Sequence, residues 1–213
     1  MKKLITIILL LFISFSYGQK RELRNANKFY DSGEFSSALD LLESSKVLFD
    51  SSDDKVKSQQ MLLYGKIHTS MQDFSLAMEA FNISKDLGIS SDQLGPELMR
   101  LENSIITNAI ADQESGNSLD AAIKLKMAYD LNPEVNQDYL YFAAGNAVNS
   151  INYSLALEYY LLLRDINYDG VTTKFYITEV ESGNEIEISS VDEFNLLQKS
   201  KDYDNPREEL TES

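Results

Sequence analysis

The stretch "NANKFYDSGEFSSALDLLE", residues 25–43, decides how the rest of the chain is read. Leu23, Ala26, Phe29 and Tyr30 fall on one face of a helix, and Ala38, Leu39, Leu41, Leu42 and Val47 on one face of the next. Between them "DSGE" breaks the helical pattern. Gly33 is placed to take the left-handed conformation that ends a helix, because it has no Cβ to clash there. The prediction is a helical hairpin closed by a very short turn. "DSSDD" at residues 50–54 then offers polar turn residues and N-caps for a following helix.

The pattern recurs. "LLYGKIHTSMQDFSLAMEAF" (62–81), "ITNAIADQESGNSLDAAIKLKMAYDLNP" (106–133) and "YFAAGNAVNSINYSLALEYYLLL" (141–163) have the same layout. Each unit carries two small residues twelve positions apart: Ala26 and Ala38, Gly65 and Ala77, Ala109 and Ala121, Ala144 and Ala156. Phe35, Phe74 and Tyr153 stand three residues before the second small residue, and Ser118 holds that place in the third unit. Small residues let two antiparallel helices approach closely, and the aromatic wedges between them. One hairpin cannot bury its apolar face alone, so copies stack.

This arrangement resembles the tetratricopeptide repeat family over about residues 20–167. Gly33 and Gly116 match the family's turn glycine and Pro133 its terminal proline. Leu42, Phe81, Leu125 and Tyr160 match the large apolar position of its second helix. Departures are visible: the first-helix Trp is absent, and Gln72 and Ile151 replace the turn Gly. The first two repeat intervals also exceed the usual period of about 34 residues. "KVLFDSSDDKV" and "DLGISSDQLGPEL" hold the extra length and read as linkers. The resemblance implies an all-α, right-handed solenoid of about four helical hairpins over residues 19–167. It also implies a concave groove lined by first helices and used to bind proteins. Repeat position then assigns Asn27, Tyr30, Lys66, Thr69, Gln113, Tyr141 and Asn149, with Ile110 and Val148, to that groove. The family's carboxylate-clamp subtype is not matched, since Leu23, Leu63 and Thr107 stand where clamp residues belong and Asn27 alone agrees.

The first 18 residues, "MKKLITIILLLFISFSYG", read as a secretory signal peptide. Lys2 and Lys3 precede an apolar run, and Ser16 and Gly18 suit cleavage before Gln19. The run is shorter than the ~20 residues needed to span a bilayer, although Lys20 and Arg21 keep an uncleaved anchor as the alternative. Leader and repeats together resemble secreted or periplasmic bacterial repeat proteins. The chain has 213 residues and a net charge of −15, a balance that opposes binding to nucleic acid or anionic membranes. With no Cys it has neither disulfides nor a lipid-anchor thiol.

After Asn167 the period changes from helical to two. "TTKFYITEVESGNEIEISS" predicts a β-hairpin with Val180 opposite Ile186 and Thr178 opposite Ile188. "VDEFNLLQK" predicts a short helix capped by Ser189–Ser190, so residues 168–200 form a small appendage. Residues 201–213 read as a loose polar tail. Such an ending caps a solenoid poorly: either the short helix serves, or the sequence is a piece of a longer repeat array.

Catalytic chemistry is hard to assemble from these residues. His68 is the single histidine and reads as a packing residue, and no Cys exists to join it in a nucleophilic or zinc site. Asp50, Asp53 and Asp54 lack the alternation and glycine of a calcium loop. The sequons at Asn82 and Asn152 fall in a helix and a tight turn and read as coincidence. The expectation is a non-enzymatic, cofactor-free exported scaffold or adaptor that binds other proteins or peptides. The alternative is a carbohydrate- or envelope-component-binding module of a larger secretion or assembly system, against which the absence of Trp counts.

Overall fold

A computed structural model describes residues 18–188 and 191–212. The signal-peptide reading of residues 1–18 lies outside the described residues but for Gly18, and so does the Ser189–Ser190 cap. The described chain is mostly helical, with ten helices and a small three-stranded antiparallel sheet near its C-terminus. It divides into two compact units, up to Tyr153 and from Ser154 onward.

The first unit begins with helix α1, residues 18–31, followed by α2 (Phe35–Ser44) and the short α3 (Lys46–Asp50). Gln19 is buried and donates Nε2 to the Leu48 carbonyl at 3.0 Å. Next come α4 (Asp54–Met71), α5 (Phe74–Asp86), α6 (Ser91–Glu114), α7 (Ser118–Leu131) and α8 (Gln137–Asn149). Asp53 caps α4 by accepting the Val56 N–H at 2.8 Å.

One backbone turn recurs between helices. After α1, Gly33 N–H donates to Tyr30 O and Glu34 N–H to Phe29 O. After α4, Gln72 and Asp73 donate to Thr69 O and His68 O in the same way. After α6, Gly116 and Asn117 donate to Gln113 O and Asp112 O, and after α8, Ile151 and Asn152 donate to Val148 O and Ala147 O. The residue at the bend is left-handed each time, with φ of 80° at Gly33, 65° at Gln72, 80° at Gly116 and 61° at Ile151. This is the Schellman arrangement, which satisfies helix-end carbonyls at the expense of a positive φ. Gln72 and Ile151 adopt it without being glycine.

Two apolar clusters hold the unit together. Leu23 and Ala26 of α1 meet Ala38 and Leu42 of α2, Phe49 of α3, and Val56, Leu63 and Ile67 of α4. Phe74, Ala77 and Phe81 of α5 meet Leu94, Leu101 and Ile105 of α6 and Ala128 of α7. Ser84 Oγ, fully buried, donates to Ser58 O at 2.7 Å and ties α5 to α4. α7 packs on α8, and both helices carry small buried residues: Ala121, Ala122 and Ala128 on one, Ala143, Ala144 and Ala147 on the other.

The two stretches read as linkers are largely helical instead. Phe49 is only 1% exposed, and burying its ring draws residues 46–50 into α3. α6 starts at Ser91 and runs through Gly95 and Pro96. Pro96 sits near its beginning, where few backbone bonds are lost. Leu94, Leu101 and Ile105 supply the buried stripe that keeps the helix on the core.

The second unit contains α9 (Tyr153–Asp165) but for its first residue, β1 (Val171–Glu179), β2 (Glu185–Ile188), α10 (Val191–Leu197) and β3 (Tyr203–Glu212). The sheet order is β2-β1-β3, both pairs antiparallel. Ile177, Ile188 and Phe194 form its core with Phe175, Leu197 and Tyr203, and the Phe175 and Phe194 rings lie 4.8 Å apart.

Two expectations fail here. The hairpin register is different: Ile177 faces Ile186 and Phe175 faces Ile188. The turn occupies residues 180–183, closed by Glu179 N–H to Asn184 O at 3.0 Å. This register sets Phe175, Ile177 and Ile188 against α10. The expected one would have paired Thr178 and Val180 with the isoleucines. The polar tail is also ordered, because residues 203–212 form β3 and pair along the length of β1. Asn205 (φ 49°) and Pro206 stand together opposite Ile177 as a β-bulge, the place where a strand tolerates a residue lacking an N–H. Charged side chains dominate this edge strand, which discourages pairing with another chain.

Candidate functional site

Side-chain contacts bring α1, α4, α6 and α8 next to one another in that order. Each of these helices precedes a Schellman turn, and the same turn also follows α5 at Gly88 and α9 at Asn167. In α1, α4, α6 and α8 a small residue faces inward: Ala26, Gly65, Ala109 and Ala144 are buried. On one side of these helices, the positions one residue further on are half-buried in α1, α4 and α8 (Asn27, Lys66 and Gly145) and exposed in α6 (Ile110).

At one end of this face, three helices meet in a polar cluster. Lys66 Nζ of α4 lies 4.7 Å from the Tyr30 ring centroid on α1, a cation–π approach. Arg100 of α6 donates Nη1 to the Tyr30 hydroxyl at 2.9 Å. Glu97, one turn before Arg100, stands between both cations: Oε1 is 3.6 Å from Lys66 Nζ and Oε2 is 3.9 Å from Arg100 Nε. Neither separation is a hydrogen bond, and Glu97 Oε2 is buried with no hydrogen-bond partner.

At the other end, α6 and α8 meet through a neutral pair. Asn146 Nδ2 of α8 donates to Phe142 O at 2.9 Å and reaches Gln113 Oε1 of α6 at 3.4 Å. Ile110, Tyr141 and Val148 are exposed around this link, and the Tyr141 ring lies 5.8 Å from that of Phe142.

The residues assigned to a binding face meet different fates. Tyr30 and Lys66 are brought together. Gln113 and Asn149 are exposed, and so is Tyr141. Asn27 is half-buried and donates Nδ2 to Leu23 O at 2.9 Å within its own helix. Thr69 is a correction: it is buried, and its Oγ1 donates to Gly65 O at 2.8 Å. Its hydroxyl turns back to the carbonyl one turn earlier in its own helix. Glu97, Arg100 and Asn146 were not anticipated. Glu97 lies in a stretch read as a linker, and its spacing of three from Arg100 was the available signal.

Elsewhere, His68 is buried against the Tyr64 ring with Nδ1 3.3 Å from Asp73 Oδ2. The phenol pKa values of Tyr64 and Tyr139 are raised, in each case chiefly by burial. Glu43 adds to the effect at Tyr64 and Glu102 at Tyr139. A shallow cleft of about 310 Å³ between α5 and α7 is lined by Phe74, Leu76, Ile123, Lys124 and Met127. Among the described residues no group of three or more His, Asp or Glu is placed to hold a metal. No described helix is long and apolar enough to cross a membrane.

Comparison with protein-family models and with curated proteins finds no match to this chain.

Proposed function

We propose that this chain is an exported, tetratricopeptide-like helical-repeat adaptor. It binds other proteins through the face of α1, α4, α6 and α8 and carries out no catalysis. The observation that carries the reading is the same Schellman turn at Gly33, Gln72, Gly116 and Ile151, each following a helix that contributes to one face. A solenoid presents an extended preformed surface of this kind, so little ordering entropy opposes association. Tyr141 and Gln113 would supply apolar area and hydrogen bonds to a partner. Export to the periplasm or cell envelope belongs to the same proposal and rests on the leader sequence. N-terminal sequencing of the mature chain should then begin at Gln19.

The binding reading is tested by crosslinking pull-down from the native envelope with the wild type and with Tyr141→Ala/Gln113→Ala. The double variant should lose partners while its helicity is unchanged. An identical partner set from both proteins would refute a role for this face.

A further inference from the structure

We infer that the cluster of Tyr30, Lys66 and Arg100 is an anchoring site for a carboxylate side chain of a partner peptide, and that Glu97 occupies it in the free protein. The inference rests on the proposed binding face and names the chemistry of what that face takes.

The geometry argues for a held place rather than a finished salt bridge. Two cations converge on one carboxylate, leaving the cluster with one unit of positive charge in a chain of net charge −15. A structural ion pair of this kind normally closes to hydrogen-bond distance. Here both separations exceed it, and one carboxylate oxygen is buried without a donor. Glu97 is therefore attracted to Lys66 and Arg100 but bonded to neither, and it gives up little when displaced. Arg100 has a 58% exposed side chain and commits Nη1 to the Tyr30 hydroxyl, leaving Nε and Nη2 to engage a carboxylate from outside.

Charge complementarity selects the occupant. The overall negative charge acts at long range and is screened over about 8 Å at physiological ionic strength. Contact energies are set locally, where Lys66 and Arg100 favour an acid and oppose a base. Further along the same face Ile110, Tyr141 and Val148 are exposed, so the fitting peptide carries apolar side chains together with an Asp or Glu.

The test is a random-peptide phage library panned against the full chain, with affinities of the selected peptides then measured on variants. Selected peptides should contain an acidic residue and apolar residues. Replacing that acid by its amide, or introducing Lys66→Gln or Arg100→Gln, should weaken binding about tenfold or more. Glu97→Gln should strengthen it several-fold, because the internal competitor is gone. Arg100→Lys, which keeps the charge, should retain part of the affinity, and unchanged urea midpoints exclude misfolding as the cause. Weaker binding to Glu97→Gln, or selected peptides without an acid, overturns the inference. If such acid-free peptides still lose affinity on Tyr141→Ala/Gln113→Ala, the binding face survives and the anchoring site alone falls. If no peptide is selected, both fail.

Discussion

The Phe81 ring fills the space where a side chain on Gly65 would lie: a Cβ there would overlap Phe81 Cε1, Cδ1 and Cζ. Phe81 is 1% exposed and sits in a packed cluster, so the ring has little room to yield. Gly65→Ala should destabilise the chain by roughly 1–2 kcal/mol, overpacking outweighing the better helix propensity of Ala. Urea unfolding measures it, and Gly65→Ala/Phe81→Leu should regain part of the loss. Ala38, fully buried against α1 and α4, predicts a comparable or larger loss for Ala38→Leu. An unchanged midpoint for Ala38→Leu would contradict the close packing of the first hairpin.

The Schellman turns make opposite predictions at different positions. Ile151 is β-branched, 72% exposed and held at φ 61°. Ile151→Gly should raise stability by about 0.5–1 kcal/mol, because relief of left-handed strain exceeds the added entropy of the unfolded chain. Gln72→Gly should act in the same direction. Gly33→Ala should lower stability by about 1 kcal/mol, although nothing lies within 4 Å of its Cβ position, because the penalty is in the backbone. Thermal unfolding of the three variants compares the signs directly.

The third strand gives a prediction for the second unit. β1 and β2 share four paired positions, and an isolated hairpin of that size is marginal in water. Ending the chain after Asp202 removes β3 and with it Tyr203 from the sheet core. Amide exchange across residues 173–179 should then speed up by orders of magnitude while α4 and α5 keep their protection. Retained protection in β1 would mean that α10 and β2 suffice.

Tyr64 predicts the alkaline limb of stability. Burial, then the charge of Glu43 and its 3.2 Å hydrogen bond, push the phenol above its ordinary value of 10.0. The unfolded chain therefore ionises first. The stabilisation is complete below about pH 10 and is lost as pH rises from there through the folded value. Tyr139 has the same sign. Wild-type urea midpoints should fall above pH 10 more steeply than those of Tyr64→Phe/Tyr139→Phe, and equal slopes would discount both residues.

The neighbourhood of Tyr30 and Lys66 was legible because repeat position follows from the small residues. Once Ala26 and Gly65 are fixed inward, Tyr30 and Lys66 must emerge on neighbouring helices. Glu97 and Arg100 were not legible that way, since α6 extends well before the stretch where the repeat pattern is visible. Its early turns have Gly95, Pro96 and polar residues, which locally favour a loop. Only burial of Leu94 and Leu101 against α5 makes them helical and so carries Arg100 to Tyr30. Thr69 failed for a local reason: position predicts a face, but its hydroxyl bonds the Gly65 carbonyl one turn back and the side chain is buried.

By itself, the sequence determined the helical hairpins of the first unit, because the spacing of apolar and small residues is a local property that each helix must satisfy. It also placed the turns, although at Gln72 and Ile151, which read as departures from the pattern, only the structure shows the left-handed bend. The tertiary structure decided what depends on distant partners. The register of β1 on β2 was settled by which isoleucines could join Phe194, and residues 203–212 became a strand only because β1 offered a free edge. Lys66, Glu97 and Arg100 became one site because three helices far apart in sequence pack side by side, and no period along the chain encodes a distance between helices.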